Sequence, residues 1–377
     1  MSILNQAMSI AKLNLQLCYG SAGIIAGGHH FTDYWARDGF FAAFGSLAIG
    51  DQEIVAKMVE LFFSFQRNDG LIPYRIRNSP ITLGRYFGFH PEPFLHPKPS
   101  YRLREVGAEV LDGTTLTLLI LSELGIKNWQ KSHKFISSAE KAFKYLQSRE
   151  KHGLLWDGDM AEWMDSVKKS GNLLYTNVIY WRSLVRLTDW LTSVNPEKSK
   201  RFRSKAESVA ASLRRRLWNG KYFADWHDGQ RRDYFYPFGN LLAVAWGLAS
   251  DEESKSILDE AEKLKVDFTL KTNTPSYPWW RIWWLSRLAG IADYQNNGPL
   301  WWQPGLAYIL ALKQAGFPQQ AKVILEIMAD KIVSDGEIYE CYEKKGNPVN
   351  RFIYRAEHPF AWSSGMFLCA VKLGKFS

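Results

Sequence analysis

The strongest constraint on this fold is an alternation of apolar and amphipathic segments along almost the whole chain. Apolar residues recur with helical spacing nearly throughout, which predicts helices rather than strands. Six segments are apolar on most sides, six are amphipathic, and the two kinds alternate. The apolar segments are 39–48, 112–124, 172–191, 237–249, 299–315 and 359–373. The amphipathic segments are 2–17, 51–66, 128–148, 196–217, 251–264 and 318–332.

A helix that is apolar on most sides is buried on most sides, whereas an amphipathic helix keeps one solvated face. Six buried helices, each paired with a half-exposed one, predict an all-α fold, an (α/α)6 barrel of six helical hairpins in two concentric rings. The rival is a helical-repeat solenoid, which would show a fixed period and a self-similar sequence. Here the hairpin spacing varies and no motif recurs. No shift in composition marks a second domain, so residues 1–377 are predicted to form one domain.

The composition narrows the possible partners. The net charge of +9 could indicate nucleic acid or an anionic substrate. The densest basic segment, 198–216, nevertheless has the spacing of one amphipathic helix with a solvated face, so no nucleic-acid partner is predicted. Three cysteines without metal-ligand spacing favour a reducing compartment. We find no signal peptide and no apolar run that could span a membrane, which predicts a cytoplasmic protein and leaves the oligomeric state open.

Four long connections interrupt the helices, and long loops in a compact domain are usually functional. They cover residues 68–107, 151–171, 265–298 and 333–357. In a barrel of paired helices such loops gather at one end. We therefore expect them to line one pocket.

The segment 161–166 carries two carboxylates, Glu162 and Asp165, on either side of Trp163. If the segment is helical, the two carboxylates share a face. Two nearby carboxylates, one of them against a tryptophan, push their pKa values apart, which leaves one protonated near neutral pH as a general acid. A calcium loop would need a D-x-D-x-D-G pattern with a terminal glutamate, and this segment lacks it.

Three other clusters supply candidate site residues. Trp35, Arg37 and Asp38 stand at the start of an apolar helix. The arginine and the acid there form either a structural ion pair that caps the helix or a set of donors and acceptors for sugar hydroxyls beside a tryptophan wall. Asp112 is either a helix cap or a ligand contact. Acids alternate with aromatics in 336–343, which is either a surface strand or a segment containing a general base.

The absence of other catalytic patterns points to one reaction class. The histidines form neither HExxH nor another metal constellation, so no metal is predicted. No glycine-rich phosphate loop or G-x-S-x-G elbow is present, and no cofactor is implied. Paired carboxylates without these features fit glycoside hydrolysis of a small carbohydrate. The rival is a non-catalytic helical binding protein, which predicts no pocket uniting Arg37, Asp165 and Glu340.

In these clusters the chain resembles the inverting (α/α)6 glycoside hydrolases. The resemblance is closest to glycogen-debranching amylo-α-1,6-glucosidases and alkaline/neutral invertases, and more distant to glucoamylases and trehalases. The motifs keep their order over nearly the whole chain: Y-W-A-R-D at 34–38, D-G-L-I-P at 69–73, W-M-D-S at 163–166, G-N-L-L-A at 239–243, G-P-L-W-W at 298–302, E-C-Y-E at 340–343 and H-P-F-A-W-S at 358–363. Each motif alone is short, and their shared order makes the resemblance specific.

The resemblance implies an inverting hydrolase of α-glucosidic bonds. At the matching positions, Asp165 would be the general acid, and Glu340 rather than Glu337 would be the general base. Arg37 and Asp38 would hold the sugar at the cleavage site. The other expected substrate contacts are Asp112, Glu162, Trp35, Trp163, Trp301 and Trp302, with the alternative that Glu162 tunes the pKa of Asp165.

The debranching-like motifs imply a short α-1,6- or α-1,4-linked glucoside as the substrate. The segment L-D-G-T-T-L at 111–116 replaces the invertase V-D-S-G-L-W, which counts against sucrose. Hydrolysis of a disaccharide in the manner of a neutral invertase or trehalase stays open. A glycosylated small acid also stays open, because positive charge near the pocket could hold a carboxylate.

Overall fold

The computed structural model describes residues 2–80, 84, 91–103, 106–352 and 354–372. Twelve of its helices match the twelve predicted segments, with ends shifted by a few residues. The apolar ones are α2 (Ala36–Ile49), α4 (Asp112–Ile126), α6 (Leu174–Val194), α8 (Pro237–Ala245), α11 (Trp302–Gln314) and α13 (Ala361–Lys372). The amphipathic ones are α1 (Ile3–Leu17), α3 (Gln52–Ser64), α5 (Ile136–Ser148), α7 (Pro196–Leu217), α9 (Asp251–Glu262) and α12 (Pro318–Asp335).

Some predicted boundaries differ from the structure. The segment 128–148 begins as a 3-10 helix, Gln130–Phe135, before α5. A short helix that was not predicted, α10 (Trp284–Leu288), lies in the third long loop. The last residue of the predicted segment 359–373 lies outside the described residues. So do residues 81–83, 85–90 and 104–105 of the first long loop.

The six apolar helices form a closed inner ring. Each packs against the next, from α2 through α4, α6, α8 and α11 to α13, and α13 packs back on α2. Helix α4 is buried at almost every position from Asp112 to Gly125. Helix α7 instead buries one stripe between Ser199 and Leu217 and leaves its basic residues on the other face. The predicted (α/α)6 barrel is therefore confirmed.

Two glycines let the first and last inner helices meet closely. A Cβ added to Gly45 of α2 would lie 2.2 Å from the carbonyl oxygen of Gly365 in α13. A Cβ added to Gly365 would lie 2.4 Å from the Cα of Ala42. Any side chain at either position would push the two backbones apart. The contact therefore depends on glycine and seals the ring.

Short antiparallel strands order the connections between the helices. They are β1 (Tyr19–Gly20), β2 (Gly23–Ile24), β3 (Tyr34–Trp35), β4 (Arg75–Arg77), β5 (Lys98–Ser100), β6 (Glu150–Lys151), β7 (Leu154–Leu155), β8 (Asn172–Leu173), β9 (Ala224–His227), β10 (Arg231–Phe235), β11 (Lys265–Val266), β12 (Thr269–Leu270), β13 (Leu300–Trp301) and β14 (Cys341–Tyr342). Two sheets have three strands, in the orders β3-β4-β5 and β10-β9-β8, and the other strands pair in twos.

Several strands lead directly into inner helices. Strand β3 precedes α2, β8 precedes α6 and β13 precedes α11. Strand β13 pairs with β14, which places Trp301 opposite Cys341. The strands thus hold loops from distant parts of the sequence at the end of the ring where the inner helices begin.

Two local predictions need correction. The segment 161–166 is not helical: it is an irregular loop with a turn at Asp165 and Ser166. The segment 336–343 contains β14, which is buried rather than on the surface. Among the described helices, none combines the length and the apolar character that a membrane crossing requires.

Candidate active site

A cavity of about 490 Å³ opens at the end of the ring where the inner helices begin. Seven of the predicted site residues line it: Trp35, Arg37, Asp38, Trp163, Asp165, Trp301 and Glu340. Its other lining residues are Phe31, Tyr294, Gln295, Phe360 and Trp362. Among the residues that the structure describes, three of the four long loops contribute to the lining. Arg37 and the two predicted catalytic acids, Asp165 and Glu340, line the same cavity. The hypothesis of a non-catalytic binding protein predicted that no such cavity exists.

Arg37 is held by an acid that lies behind the cavity. Its Nε donates a 2.7 Å hydrogen bond to Asp112 Oδ2, and its NH1 lies 3.9 Å from Asp165 Oδ2. Burial acts to lower the pKa of Arg37, but the nearby acids Asp112 and Asp165 and the hydrogen bond to Asp112 together raise it above its usual value. Asp112 is 1% exposed and is not among the lining residues. It therefore orients Arg37 from behind the cavity wall, and its position does not support the expected contact with the sugar.

Asp38 lies in the first turn of α2 and faces the cavity. Burial raises its pKa to about 7, against the opposing effect of Arg37, and the charge of Glu340 adds to the rise. A carboxyl group that titrates near neutral pH can either accept or donate a hydrogen bond. Asp38 is therefore suited to contact a sugar hydroxyl.

Asp165 stands at the open side of the cavity, where its side chain is 44% exposed. Gln295 holds the loop around it. The Gln295 Nε2 donates to the carbonyl oxygen of Trp163 at 2.6 Å and to Asp165 Oδ1 at 3.3 Å. The Gln295 Oε1 accepts from the backbone N–H of Ser166 at 2.8 Å and from its hydroxyl at 2.6 Å. This glutamine was not predicted, because an uncharged residue in a long loop gives no sequence signal beyond its location.

Glu162 is 1% exposed and is not among the residues that line the cavity. It forms an ion pair with the buried Lys169, whose Nζ also lies 3.2 Å from both carboxylate oxygens of Asp225. The hydroxyl of Tyr277 donates to the same aspartate. The expectation that Glu162 contacts the sugar is wrong, because its carboxylate is buried against Lys169 outside the cavity. Because the loop is irregular, residues three apart do not share a face.

Glu340 lies at the closed side of the cavity and is 3% exposed. The hydroxyl of Tyr294 donates to its Oε1 at 2.7 Å. The hydroxyl of Tyr354 and the backbone N–H of Glu357, at 3.1 Å, donate to its Oε2. Burial raises the pKa of Glu340, although the charge of His30 and the two tyrosine hydroxyls act to lower it. The carboxyl group is thus fixed in orientation and more basic than a free glutamate.

Glu337, the other predicted candidate for the base, lies elsewhere. Its side chain is 39% exposed, and its Oε2 is 2.9 Å from the Nδ1 of His358. It is not among the residues that line the cavity. The geometry therefore favours Glu340, the residue that the resemblance selects.

Aromatic rings form the walls of the cavity. Trp163 and Trp301 meet edge to face at 5.5 Å between ring centroids, and the Nε1 of Trp301 donates to the carbonyl oxygen of Tyr294 at 2.9 Å. Trp302 does not belong to these walls: it is fully buried, packs 4.6 Å from Phe268, and is not a lining residue. The side chains of 301 and 302 diverge because strand β13 ends between them. The expectation of a wall at Trp302 is therefore wrong.

A group of possible metal ligands lies next to Glu340. Ligand atoms of His29, His30 and Glu357 lie within 4.8 Å of one another. The Glu357 carboxylate already accepts the backbone N–H groups of His29, His30 and Phe31. It also lies 2.9 Å from the Nδ1 of His30. We read this group as a structural cap on the segment 29–31, and the prediction of no metal stays a prediction.

Comparison with known sequences identifies one family. A sequence profile of the family described as Amylo-alpha-1,6-glucosidase matches residues 15–368. No curated protein shows significant sequence similarity to the chain.

Solved structures share the fold. A GH63 mannosylglycerate hydrolase from Thermus thermophilus, crystallised with Tris, has a TM-score of 0.71 at 14% identity over 96% of this chain and 99% of its own. A glycosidase variant in complex with glucose has a TM-score of 0.69 at 15% identity over 98% and 96%. A rhamnosidase from Klebsiella oxytoca with rhamnose bound has a TM-score of 0.66 at 14% identity over 97% and 63%. At these identities the likeness shows the fold alone.

The profile match confirms the predicted family resemblance and the predicted enzyme class. It spans the cavity residues from Trp35 to Trp362 and nearly all of the 377 residues. The chain belongs to the amylo-α-1,6-glucosidase family and is a glycoside hydrolase.

Proposed function

We propose that the protein hydrolyses an α-glucosidic bond with inversion, with Asp165 as general acid and Glu340 as general base. The observation that carries the proposal is that these two carboxyl groups, contributed by different loops, line one cavity together with Arg37 and Asp38. In an inverting glycosidase the two carboxyl groups are separated by roughly 6.5–9.5 Å, which leaves room for the attacking water. We further propose that residues 1–377 act as one catalytic domain.

The environments of the two acids suit these different roles. Glu340 is buried, its orientation is fixed by three donors, and its pKa is raised, so it can take a proton from a water molecule near neutral pH. Asp165 is half exposed at the opening, where a departing glycosidic oxygen would pass. In this arrangement the base lies under the bound sugar and the acid lies beside its leaving group.

The cavity is suited to one neutral sugar. Arg37 is the cationic side chain among the described lining residues, and Asp112 already neutralises it. A glycosylated small acid would need an uncompensated positive charge here, so this alternative loses its main support. Asp38 and Arg37 would bind hydroxyls, and Trp35, Trp163 and Trp301 would contact the ring faces.

An α-1,6- or α-1,4-linked glucoside is the proposed substrate. The family description supports α-1,6-linked glucose at a branch. Isomaltose, maltose, trehalose and sucrose form a panel that separates a debranching-type enzyme from the trehalase and invertase alternatives. Fastest release of glucose from isomaltose or maltose is the expected result. Preferred cleavage of trehalose or sucrose would instead favour the disaccharide-hydrolase alternative.

The mechanism can be tested with matched variants. We expect Asp165→Asn and Glu340→Gln each to lower kcat by about 10²- to 10⁴-fold, the usual contribution of an acid or base. Glu337→Gln, outside the cavity, should retain wild-type kcat. NMR of the first-formed product should show the β-anomer. Release of the α-anomer would contradict inversion, and full activity in either catalytic variant would remove that residue from its role.

We also propose that the protein is cytoplasmic. The three cysteines are free and buried. This supports the proposed cytoplasmic location, where thiols stay reduced.

A further inference from the structure

Three tryptophans in the third long loop are unusually exposed. Trp279 is 67%, Trp280 60% and Trp284 52% exposed. In contrast, the cavity tryptophans Trp163 and Trp301 are 4% and 2% exposed. The exposed rings belong to residues 279–288, here called the aromatic segment. Large apolar side chains clustered at a surface mark a place where something binds.

The backbone ties this segment to the loop that carries Asp165. The backbone N–H of Lys168 donates to the carbonyl oxygen of Arg281 at 2.6 Å. The backbone N–H of Trp283 donates to the carbonyl oxygen of Ser166 at 2.8 Å. Ser166 directly follows Asp165, and one residue spans at most about 3.6 Å. The backbone of Trp283 therefore lies close to the backbone of the proposed acid.

The cavity is open on the side of the loop that carries Asp165. At its closed side lies Glu340, 3% exposed, and at its open side lies Asp165, 44% exposed. The side chains of Trp35, Trp163, Trp301 and Trp362 line the cavity, and such aromatic walls suit one sugar ring inside. If Asp165 protonates the leaving group as proposed above, the rest of the substrate lies outside, on the side of the loop to which the segment is tied.

Two rings of the segment, Trp279 and Trp280, have defined neighbours. The guanidinium of Arg287 lies 5.0 Å from the ring centroid of Trp279. The rings of Trp279 and Trp280 lie 6.2 Å apart at 84°. The electron-rich face of an indole attracts the C–H groups on one face of a pyranose ring, because these hydrogens are weakly positive. Trp280 and Trp284, which are 60% and 52% exposed, therefore suit a chain of sugars, while the Trp279 ring also contacts Arg287.

We propose that the exposed tryptophans of the aromatic segment, Trp279, Trp280 and Trp284, form a binding platform for the leaving-group side of an oligosaccharide, an α-linked glucan of several units. The inference rests on the proposed function and extends it, because it assigns the enzyme a substrate longer than a disaccharide. Exposed Leu285 and Leu288 in the same segment raise the alternative of a lipid surface. The tie to the acid loop favours the sugar.

The first test compares long and short substrates of the same linkage. In Trp280→Ala and Trp284→Ala, kcat/KM for maltohexaose relative to that for maltose should fall about tenfold, mainly through KM; isomaltohexaose and isomaltose give the same comparison for the other linkage. Leu288→Ala, 76% exposed in the same segment, is the matched control and should leave the ratio unchanged. An unchanged ratio in both tryptophan variants would overturn the proposal.

The second test measures binding without hydrolysis. Maltohexaose should quench tryptophan fluorescence of Asp165→Asn, and the added Trp280→Ala change should weaken this binding about tenfold. This readout separates the two proposals, because a platform can bind glucan even where no bond is cleaved. Vesicles containing anionic lipid should not bind the wild type. Binding to vesicles that Leu288→Ala and Trp284→Ala both abolish, without binding of maltohexaose, would establish the lipid alternative and refute the platform.

Discussion

Carboxyl groups of the cavity differ in their surroundings more than in their chemistry. Glu340 is buried and held by two tyrosine hydroxyls and a backbone N–H. Asp38 has its pKa raised to about 7 by burial. Asp165 is half exposed and close to Arg37. The sequence shows three acids, and only their neighbours in space assign each a different task.

The tyrosine contact on Glu340 gives a test of its role as base. Tyr354 lowers the pKa of Glu340, so Tyr354→Phe should raise it. A base acts only when deprotonated. The acidic limb of the kcat/KM profile should therefore move to higher pH, by roughly one unit, or about 1.4 kcal/mol. Initial rates across the acidic and neutral range measure this shift.

A second tyrosine provides the control for this pH shift. Tyr308 also donates to a glutamate, Glu262, but that residue belongs to the outer helix α9. Tyr308→Phe should therefore leave the acidic limb in place. If Tyr354→Phe also leaves the limb where it is, Glu340 is not the group that titrates in catalysis.

At the scale of elements, the loop that carries Asp165 is shaped by a buried charge cluster. Lys169 bridges Glu162 of the same loop and Asp225 of β9, and all three are at most 2% exposed. Lys169 thus links the loop to β9 by ion pairs. Gln295 holds the loop near Asp165 by a hydrogen bond to the carbonyl oxygen of Trp163. An irregular loop has no repeating backbone bonds, so such side-chain contacts must fix its conformation.

Loss of the lysine should destabilise the fold. Lys169→Met leaves Glu162 and Asp225 as buried acids without a cation, and we expect the free energy of unfolding to fall by about 3–5 kcal/mol. Equilibrium unfolding in urea measures the change. The adjacent Lys168→Met is the control, because the hydrogen bonds between Lys168 and Arg281 use the backbone of Lys168, and it should change stability by under about 0.5 kcal/mol. Equal stability of both variants would exclude a role for the charge cluster.

At the scale of the whole molecule, the two ends of the chain meet and hold the loop of the proposed base. Helix α1 packs on α12 and α13. The side-chain oxygen of Asn14 in α1 accepts the backbone N–H of Ile338 at 2.9 Å, and both residues are buried. Ile338 lies two positions before Glu340. Closure of the outer ring therefore anchors the segment that carries the proposed base.

Removal of the hydrogen bond between Asn14 and Ile338 should lower both the stability and the activity of the protein. Asn14→Ala leaves the N–H of Ile338 buried without its acceptor, which costs about 1–3 kcal/mol. Thermal unfolding should show a lower Tm, and kcat should decline because Glu340 is less firmly placed. Asn5→Ala, at an exposed position of the same helix, should leave both unchanged. A Tm equal to that of Asn5→Ala would show that the bond does not secure the closure.

Much of the architecture could be predicted from the sequence. Helical periodicity is a local property. A helix that is apolar on most sides belongs to the inner ring, and one that is apolar on one side belongs to the outer ring. The six-by-six alternation therefore determined the barrel, and the ordered motifs determined the family. The same motifs selected Asp165, Glu340, Arg37 and Asp38, which all line the cavity.

The sequence could not assign partners that are distant along the chain. Glu162, Asp112 and Trp302 have the residue types of a sugar site, yet the first two neutralise Lys169 and Arg37, and the third packs in the core. Gln295 and Tyr354 have no distinctive pattern, yet they hold the two proposed catalytic acids. Composition and periodicity decide which helices are buried, because burial follows from one segment's own side chains. Closure of the ring decides which loops come together. Only the residues that each acid then contacts show whether it lines the cavity or supports the wall behind it.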